Sequence, residues 1–428
     1  MSFLSSAAAG ARRFLSWLPL AALILAGEAI FFLPFVVPRV FRPTMLDVFG
    51  VTNLQLGVAF SAYGFVAVVA YFFGGPLADR FEPRRLMSTA LIATAAGGLV
   101  LSQIPGPSAL LWLYGYWGAS TILIFWAALI RATRQLGGPA LQGSAFGLLD
   151  GGRGLVAAVI GSLAVEAYAW WLPSEAESTL AQRADAFANV VGLFTVVTVL
   201  AAVLLMVALP KMLPAAGSAA KAPLGRGVWE AGRMPVVWLQ ALIVVCAYVA
   251  YKGLDDVSLY ARDVLRFDEI AAAQASTYSM WMRPPAAIAA GLLADRIGAV
   301  RATWISFLLM GIGSTVLASG GLYGHALVWF FLTILSTSAA VFALRGLYFA
   351  IMQEGHIPLR YTGSAVGIVS VIGYTPDVFM GPLMGYLLDS APGRSGHQQL
   401  FGVLAIFSLV GLLATFGFGQ LARRRASA

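Results

Sequence analysis

Apolar runs of about 18 to 25 residues recur along the 428-residue chain, separated by short polar connections. A helix needs about 20 such residues to cross about 30 Å of hydrocarbon, where no water can satisfy a backbone N–H or C=O. Charged residues make up only 11% of the chain and hydrophobic ones 60%, whereas a soluble domain carries roughly 25% charged residues. The chain is therefore expected to be an all-α polytopic membrane protein. The runs fall at 17–40, 55–75, 86–104, 108–131, 142–170 and 188–209, then at 235–254, 270–291, 302–320, 325–352, 362–389 and 400–421. Residues 210–234, rich in Pro, Gly, Ala and basic side chains, read as a linker between an N-terminal half, 1–209, and a C-terminal half, 235–428.

A net charge of +8 resembles a nucleic-acid signal, but its placement excludes that partner. The basic residues concentrate in alternate short connections, as the positive-inside bias requires. With both termini cytoplasmic, Arg80, Arg84, Arg85, Arg131, Arg134, Arg296, Arg301 and Arg423 to Arg425 lie inside. Few arginines, among them Arg39, Arg42, Arg183 and Arg262, then lie outside. The first run contains Glu28, Pro34 and Pro38 and reads as a retained helix rather than a signal peptide. Cys246 is the single cysteine, so no disulfide framework or cysteine metal cluster is expected.

An internal repeat gives the architecture a register. The segment GPLADRFEPRR (75–85) follows the second run, and GLLADRIGAVR (291–301) follows the eighth. Gly143-Ser144-Ala145-Phe146-Gly147 opens the fifth run, and Gly363-Ser364-Ala365-Val366-Gly367 opens the eleventh. The two matches are offset by 216 and 220 residues. Such agreement indicates two parallel six-helix bundles with a midplane site between them.

The loop carrying Asp79, Arg80, Arg84 and Arg85, echoed by Asp295, Arg296 and Arg301, resembles the signature loop of the major facilitator superfamily. Glu82 and Pro83 depart from that pattern. The resemblance implies the twelve-helix fold with both termini cytoplasmic, and a latch in which Asp79 and Asp295 dock at helix starts of the opposite half. The docking sites would be the Gly-Ser-Ala-x-Gly segments, whose small residues permit close approach. It also implies alternating access by a monomeric secondary transporter in a bacterial inner membrane. The helices that line the cavity in this family are the first, fourth, fifth, seventh, eighth, tenth and eleventh.

Every deep charge falls on those runs. Ionisable residues within a bilayer cost at least about 2.5–3.5 kcal/mol and face the bundle interior, usually with a partner. Arg283, Arg345, Arg153 and Lys252, with Tyr278 and Tyr374, are the candidate substrate-binding residues. Asp150 and Arg153 stand one helical turn apart and can neutralise each other. Arg283 precedes Pro284-Pro285, which free backbone carbonyls beside a cation suited to an anion; pairing with Asp377 or Glu28 is the alternative. Glu28, Asp377 and Asp150 are candidate proton-coupling residues. Burial disfavours the charged form of a carboxyl group and a nearby arginine favours it. An acid that yields its arginine to a substrate anion would thus take up a proton. His325, His356 and His397 lie in loops or at helix ends, which disfavours a histidine relay.

No phosphate-binding loop and no His-Glu-x-x-His metal site occurs in the sequence. The expectation is a secondary transporter, with no cofactor, that moves a small organic anion or acidic sugar derivative together with protons. Export of an amphipathic compound, uptake of a neutral sugar and a non-transporting sensor are the competing readings.

Overall fold

The computed structural model describes residues 17–137, 142–173, 178–212, 224–321, 327–348, 350–357 and 362–426. Every expected run coincides with helix. Helix α1 comprises Trp17–Ala29 and Phe32–Val40, bent by 43° across a π-helical turn at Phe32–Val36. Pro34 lies in that turn and Pro38 opens the next segment; neither has an N–H to continue the ladder. Then come α2 (Asn53–Arg80), α3 (Pro83–Leu101), α4 (Pro107–Leu136), α5 (Gln142–Trp171) and α6 (Leu180–Ala208). In the second half, α7 runs Pro235–Gly253, through a 3₁₀ turn at Leu254–Asp256, to Val257–Asp263. Helix α8 is split into Glu269–Trp281 and Arg283–Ile297, and α9 spans Ala299–Ser319. Helix α10 spans Leu327–Leu347, α11 is split into Thr362–Gly373 and Pro376–Ser390, and α12 spans Arg394–Ala426.

Among the described residues, nine helices are long and apolar enough to cross a membrane, and the bent α1 makes a tenth. The other two expected runs fall on α3, which has only 19 residues and carries Arg84 and Arg85 in its first turn, and on the interrupted α8. Local chemistry sets the limits of several helices. Thr52 with Gln55 and Thr179 with Gln182 form capping boxes that start α2 and α6. Pro284 and Pro376 sit where α8 and α11 restart, because proline suits a first helical turn but not an interior.

The halves meet along two seams. In one, α2 and α11 pack backbone to backbone: a Cβ at Gly57 would run into the Gly381 carbonyl, and one at Gly64 into the Asp377 backbone. Ser61 donates to the Val378 carbonyl at 2.6 Å. In the other, α1 and α5 face α7 and α8. Both seams tighten at the end of the bundle where α1 turns into α2, here termed the loop end; the opposite end, near residue 210, is the linker end. At the loop end Asp389 accepts from the Asn53 and Leu54 amides at 3.2 and 2.7 Å, an anion at the start of α2. Arg183 pairs with Asp47 at 2.9 Å and with Glu269, while Arg262 pairs with Asp47 at 3.0 Å. These cross-links close the loop end.

Candidate functional site

A cavity lies between the halves, lined by residues of α1, α2, α4, α5, α7, α8, α10 and α11. It encloses about 690 Å³, its open mouth included. The irregular helix segments supply much of its chemistry. The π turn of α1 contributes Phe35, and a second π segment in α4, Ala119–Trp126, contributes Ile122 and Trp126. Lys252 stands just before the 3₁₀ turn of α7, Arg283 at the break of α8, and Tyr374 and Asp377 at the break of α11. Where a helix is interrupted, side chains and backbone need not follow one helical stripe, so several polar groups can converge on one point.

Ion pairs organise the cavity wall. Glu28 on α1 accepts from Arg153 Nε at 3.1 Å and lies 3.3 Å from Arg283 Nη1. Arg283 also donates to Asp150 at 2.8 Å, so one cation of the second half holds two carboxylates of the first. Asp150 and Arg153 are 3.9 Å apart, as their one-turn spacing allows, but the shorter bond of each goes elsewhere. Toward the loop end Lys252 lies 3.5 Å from Asp377 and 3.6 Å from Asp255. Asp255 accepts from Arg39 at 2.5 Å, and the Arg39 carbonyl accepts from Ser258 and Ser276. This chain of charges runs from the cavity to the closed end of the molecule.

Arg345 differs from the other four cations. No carboxylate lies within 4.0 Å of it among the described residues, and its Nε is buried without a hydrogen-bond partner. Its guanidinium sits 3.8 Å over the centre of the Tyr251 ring, which Arg39 also approaches at 4.4 Å. Tyr248 donates to Asp377 at 3.1 Å, and Tyr374 stacks on Tyr71 across the two halves at 5.9 Å. The result is an aromatic-walled, water-accessible space bearing one unpaired cation.

The structure brings Arg153, Lys252, Arg283, Arg345 and Tyr374 to this cavity with Glu28 and Asp377, and Asp150 joins through Arg283. Tyr278 is elsewhere: it is half-exposed on α8, edge-on to Phe331. Its spacing from Arg283 would share a face on a continuous helix, but the break at Met282 turns the two segments apart. The pairing of Arg283 goes to Glu28 and Asp150, not to Asp377. The Asp79 side chain and those of Gly143 to Ala145 and Gly363 lie outside the described part. Arg84 and Arg85 are bound by Glu82, at 2.7 and 2.9 Å, so the residue that departs from the loop pattern holds both arginines. Arg80, Asp295, Arg296 and Arg301 are exposed, and Gly147 and Gly367 face open space. The helix starts expected to receive the latch are therefore open at these two glycines in this state.

Sequence reasoning did not single out Arg39 as a gate residue or His397 as a buried one. His397 is fully enclosed in the first turn of α12, its Nδ1 2.6 Å from an equally buried Asp256, with Nε2 3.6 Å from Asp263. A helix-end position gave no sign of burial; the neighbouring acids 255 and 256 were the available signal, and they face opposite ways, one to Arg39 and one to His397. Asp256→Ala is expected to lower unfolding stability by about 3–5 kcal/mol, because it strands a buried partner. Thermal unfolding of purified protein measures this; a loss no larger than about 1 kcal/mol, the size of an ordinary substitution, would show that the pair does not hold α7 to α12.

Comparison with known proteins agrees with the fold. The family description Major Facilitator Superfamily matches residues 20–379. Inner membrane protein YihN of Escherichia coli (strain K12) is 25% identical over 407 residues, covering 93% of this chain and 94% of that protein. Inner membrane protein YqcE of the same organism is 24% identical over 428 residues, with 94% of each chain covered. A crystal structure of the nucleoside transporter NupG superposes with a TM-score of 0.72 at 13% identity, covering 94% of this chain and 99% of that one. With its helical bundles, its repeated loop and its charged cavity between halves, this chain belongs to the major facilitator superfamily of membrane transporters.

Proposed function

We propose that the chain moves a small organic anion, such as an acidic sugar derivative, across a bacterial inner membrane by alternating access coupled to protons. The observation that carries this reading is Arg345, a cavity cation without a carboxylate partner. An arginine held on an aromatic face presents a planar fork matched to a carboxylate or similar oxyanion. The membrane assignment draws on the relatives named as inner membrane proteins. The positive-inside bias puts the linker end, with residues 210–234, in the cytoplasm, so the closed loop end faces outward and the cavity is reached from inside. Asp79 and Asp295 would engage the opposite helix starts in the other state. The unit of transport is the monomer.

The test is binding followed by flux. Sugar acids, simple carboxylates and neutral sugars are screened for thermal stabilisation of purified protein, and any hit is assayed in vesicles. Stabilisation by an acid and its concentrative uptake support the reading. Stabilisation by neutral sugars alone, or by none of the panel, refutes it.

Coupling is assigned to Glu28 and Asp377, each tied to a basic partner that an anion or a rocking motion can withdraw. In vesicles, Glu28→Gln and Asp377→Asn are expected to abolish uphill uptake driven by a proton gradient while leaving exchange of substrate across the membrane. Gradient-driven accumulation intact in both variants would remove these carboxylates from the coupling step.

A further inference from the structure

The ionic inventory of the same cavity fixes how much negative charge it can accept. Four of its five cations have a carboxylate each: Arg39 with Asp255 at 2.5 Å, Arg153 with Glu28 at 3.1 Å, Lys252 with Asp377 at 3.5 Å, and Arg283 with Asp150 at 2.8 Å. The match is one to one and leaves Arg345 over. All four carboxylates and their partners are closely bound, and Glu28, Asp255 and Asp377 are buried. A charge brought into such surroundings is poorly compensated unless it finds an opposite charge of its own.

We propose that the site is built for organic monoanions, whose single charge rests on Arg345, and that it admits a dianion only when one of the four carboxylates is neutralised by a proton. The proposal deepens the organic-anion reading and rests on it. A second negative charge would face no free cation. It would have to draw Arg153, Arg283 or Lys252 from an existing partner and leave that carboxylate uncompensated. Neutralising any one of the four removes the obstacle by freeing one positive charge. Aromatic walls add no further cation: Tyr251 sits under Arg345, and Phe31 and Trp126 flank Arg153 at 5.5 and 5.7 Å. The same count connects selectivity to coupling, since a monoanion balances the cavity by itself and a dianion brings a proton with it.

Matched acids test this on purified full-length protein at pH 7.5: lactate against malate, gluconate against glucarate, and monomethyl glutarate against glutarate, with glucitol as the neutral control. Calorimetric titration is expected to show that where a pair binds, the monoanion binds at least tenfold more tightly. Glu28→Gln and Asp377→Asn, each shown to be folded by gel filtration and thermal unfolding, are expected to shrink that ratio or invert it through tighter dianion binding. These two variants lie in different pairs, so failure of one to fold leaves the other informative. Stronger dianion binding by the unaltered protein overturns the monoanion proposal while leaving the organic-anion reading intact. So does a ratio unchanged in every folded variant, or the failure of both variants to fold, which would mean that the carboxylates are structural and not exchangeable. Binding of glucitol alone, or of no compound, overturns both.

Discussion

Arg345→Gln is expected to lower affinity for the transported anion by roughly ten- to 150-fold, as follows from losing a hydrogen-bonded charge contact of about 1.5–3 kcal/mol. Glutamine can still donate one hydrogen bond but carries neither the charge nor the planar fork. Arg345→Lys should fall between the two, because an ammonium keeps the charge but stacks less well on Tyr251. Stability of the protein should change little. The guanidinium has no carboxylate to strand, and removing a cation that lacks a partner relieves a cost. A titration series across wild type, Lys and Gln, with thermal unfolding in parallel, separates these effects. Equal affinities in all three proteins would exclude Arg345 as the anchor.

The second large effect is expected at the α2–α11 seam. Gly57→Leu should prevent the loop end from closing, because the Gly381 carbonyl occupies the space where the first side-chain carbon would go. Backbone is in the way, not the tip of a flexible side chain, so the helices must separate for the variant to exist. Once they do, Asp389 can no longer cap the start of α2 and the Ser61 to Val378 bond is lost. Net transport should fall to background while the protein remains folded in a state open at the loop end. Spin labels at Thr52→Cys and Ser390→Cys, in a Cys246→Ser background, report the separation of the two helices. An unchanged distance distribution in the leucine variant would show that the seam tolerates the bulk and does not gate this end.

These two expectations come from different sources of information. The presence of Arg345 on a cavity-lining helix was legible in the sequence, as were Glu28, Asp150, Arg153, Lys252, Arg283 and Asp377. A charge inside an apolar run stands out, and the energetic cost of placing it in lipid forces it inward. The pairing among those charges was not legible. Asp150 and Arg153 looked like a local pair because they are one turn apart, yet Arg283, 133 residues from Asp150, makes the shorter contact. Tyr278 looked like a cavity residue until the break at Met282 separated its segment from that of Arg283. His397 looked peripheral because helix ends are often exposed, whereas the packing of α12 against α7 encloses it.

The sequence by itself determined that the chain lives in a membrane, that it is helical throughout, and that its halves repeat in parallel. Those properties depend on composition and on regular spacing, which act along the chain and survive without knowledge of any long-range contact. Only the tertiary structure decided which of five buried cations lacks a partner, which glycines let the halves close, and which end of the molecule is shut. Each of these depends on distances between residues far apart in sequence. Ion pairing is decided within about 4 Å, a scale that no pattern of residues along one helix specifies.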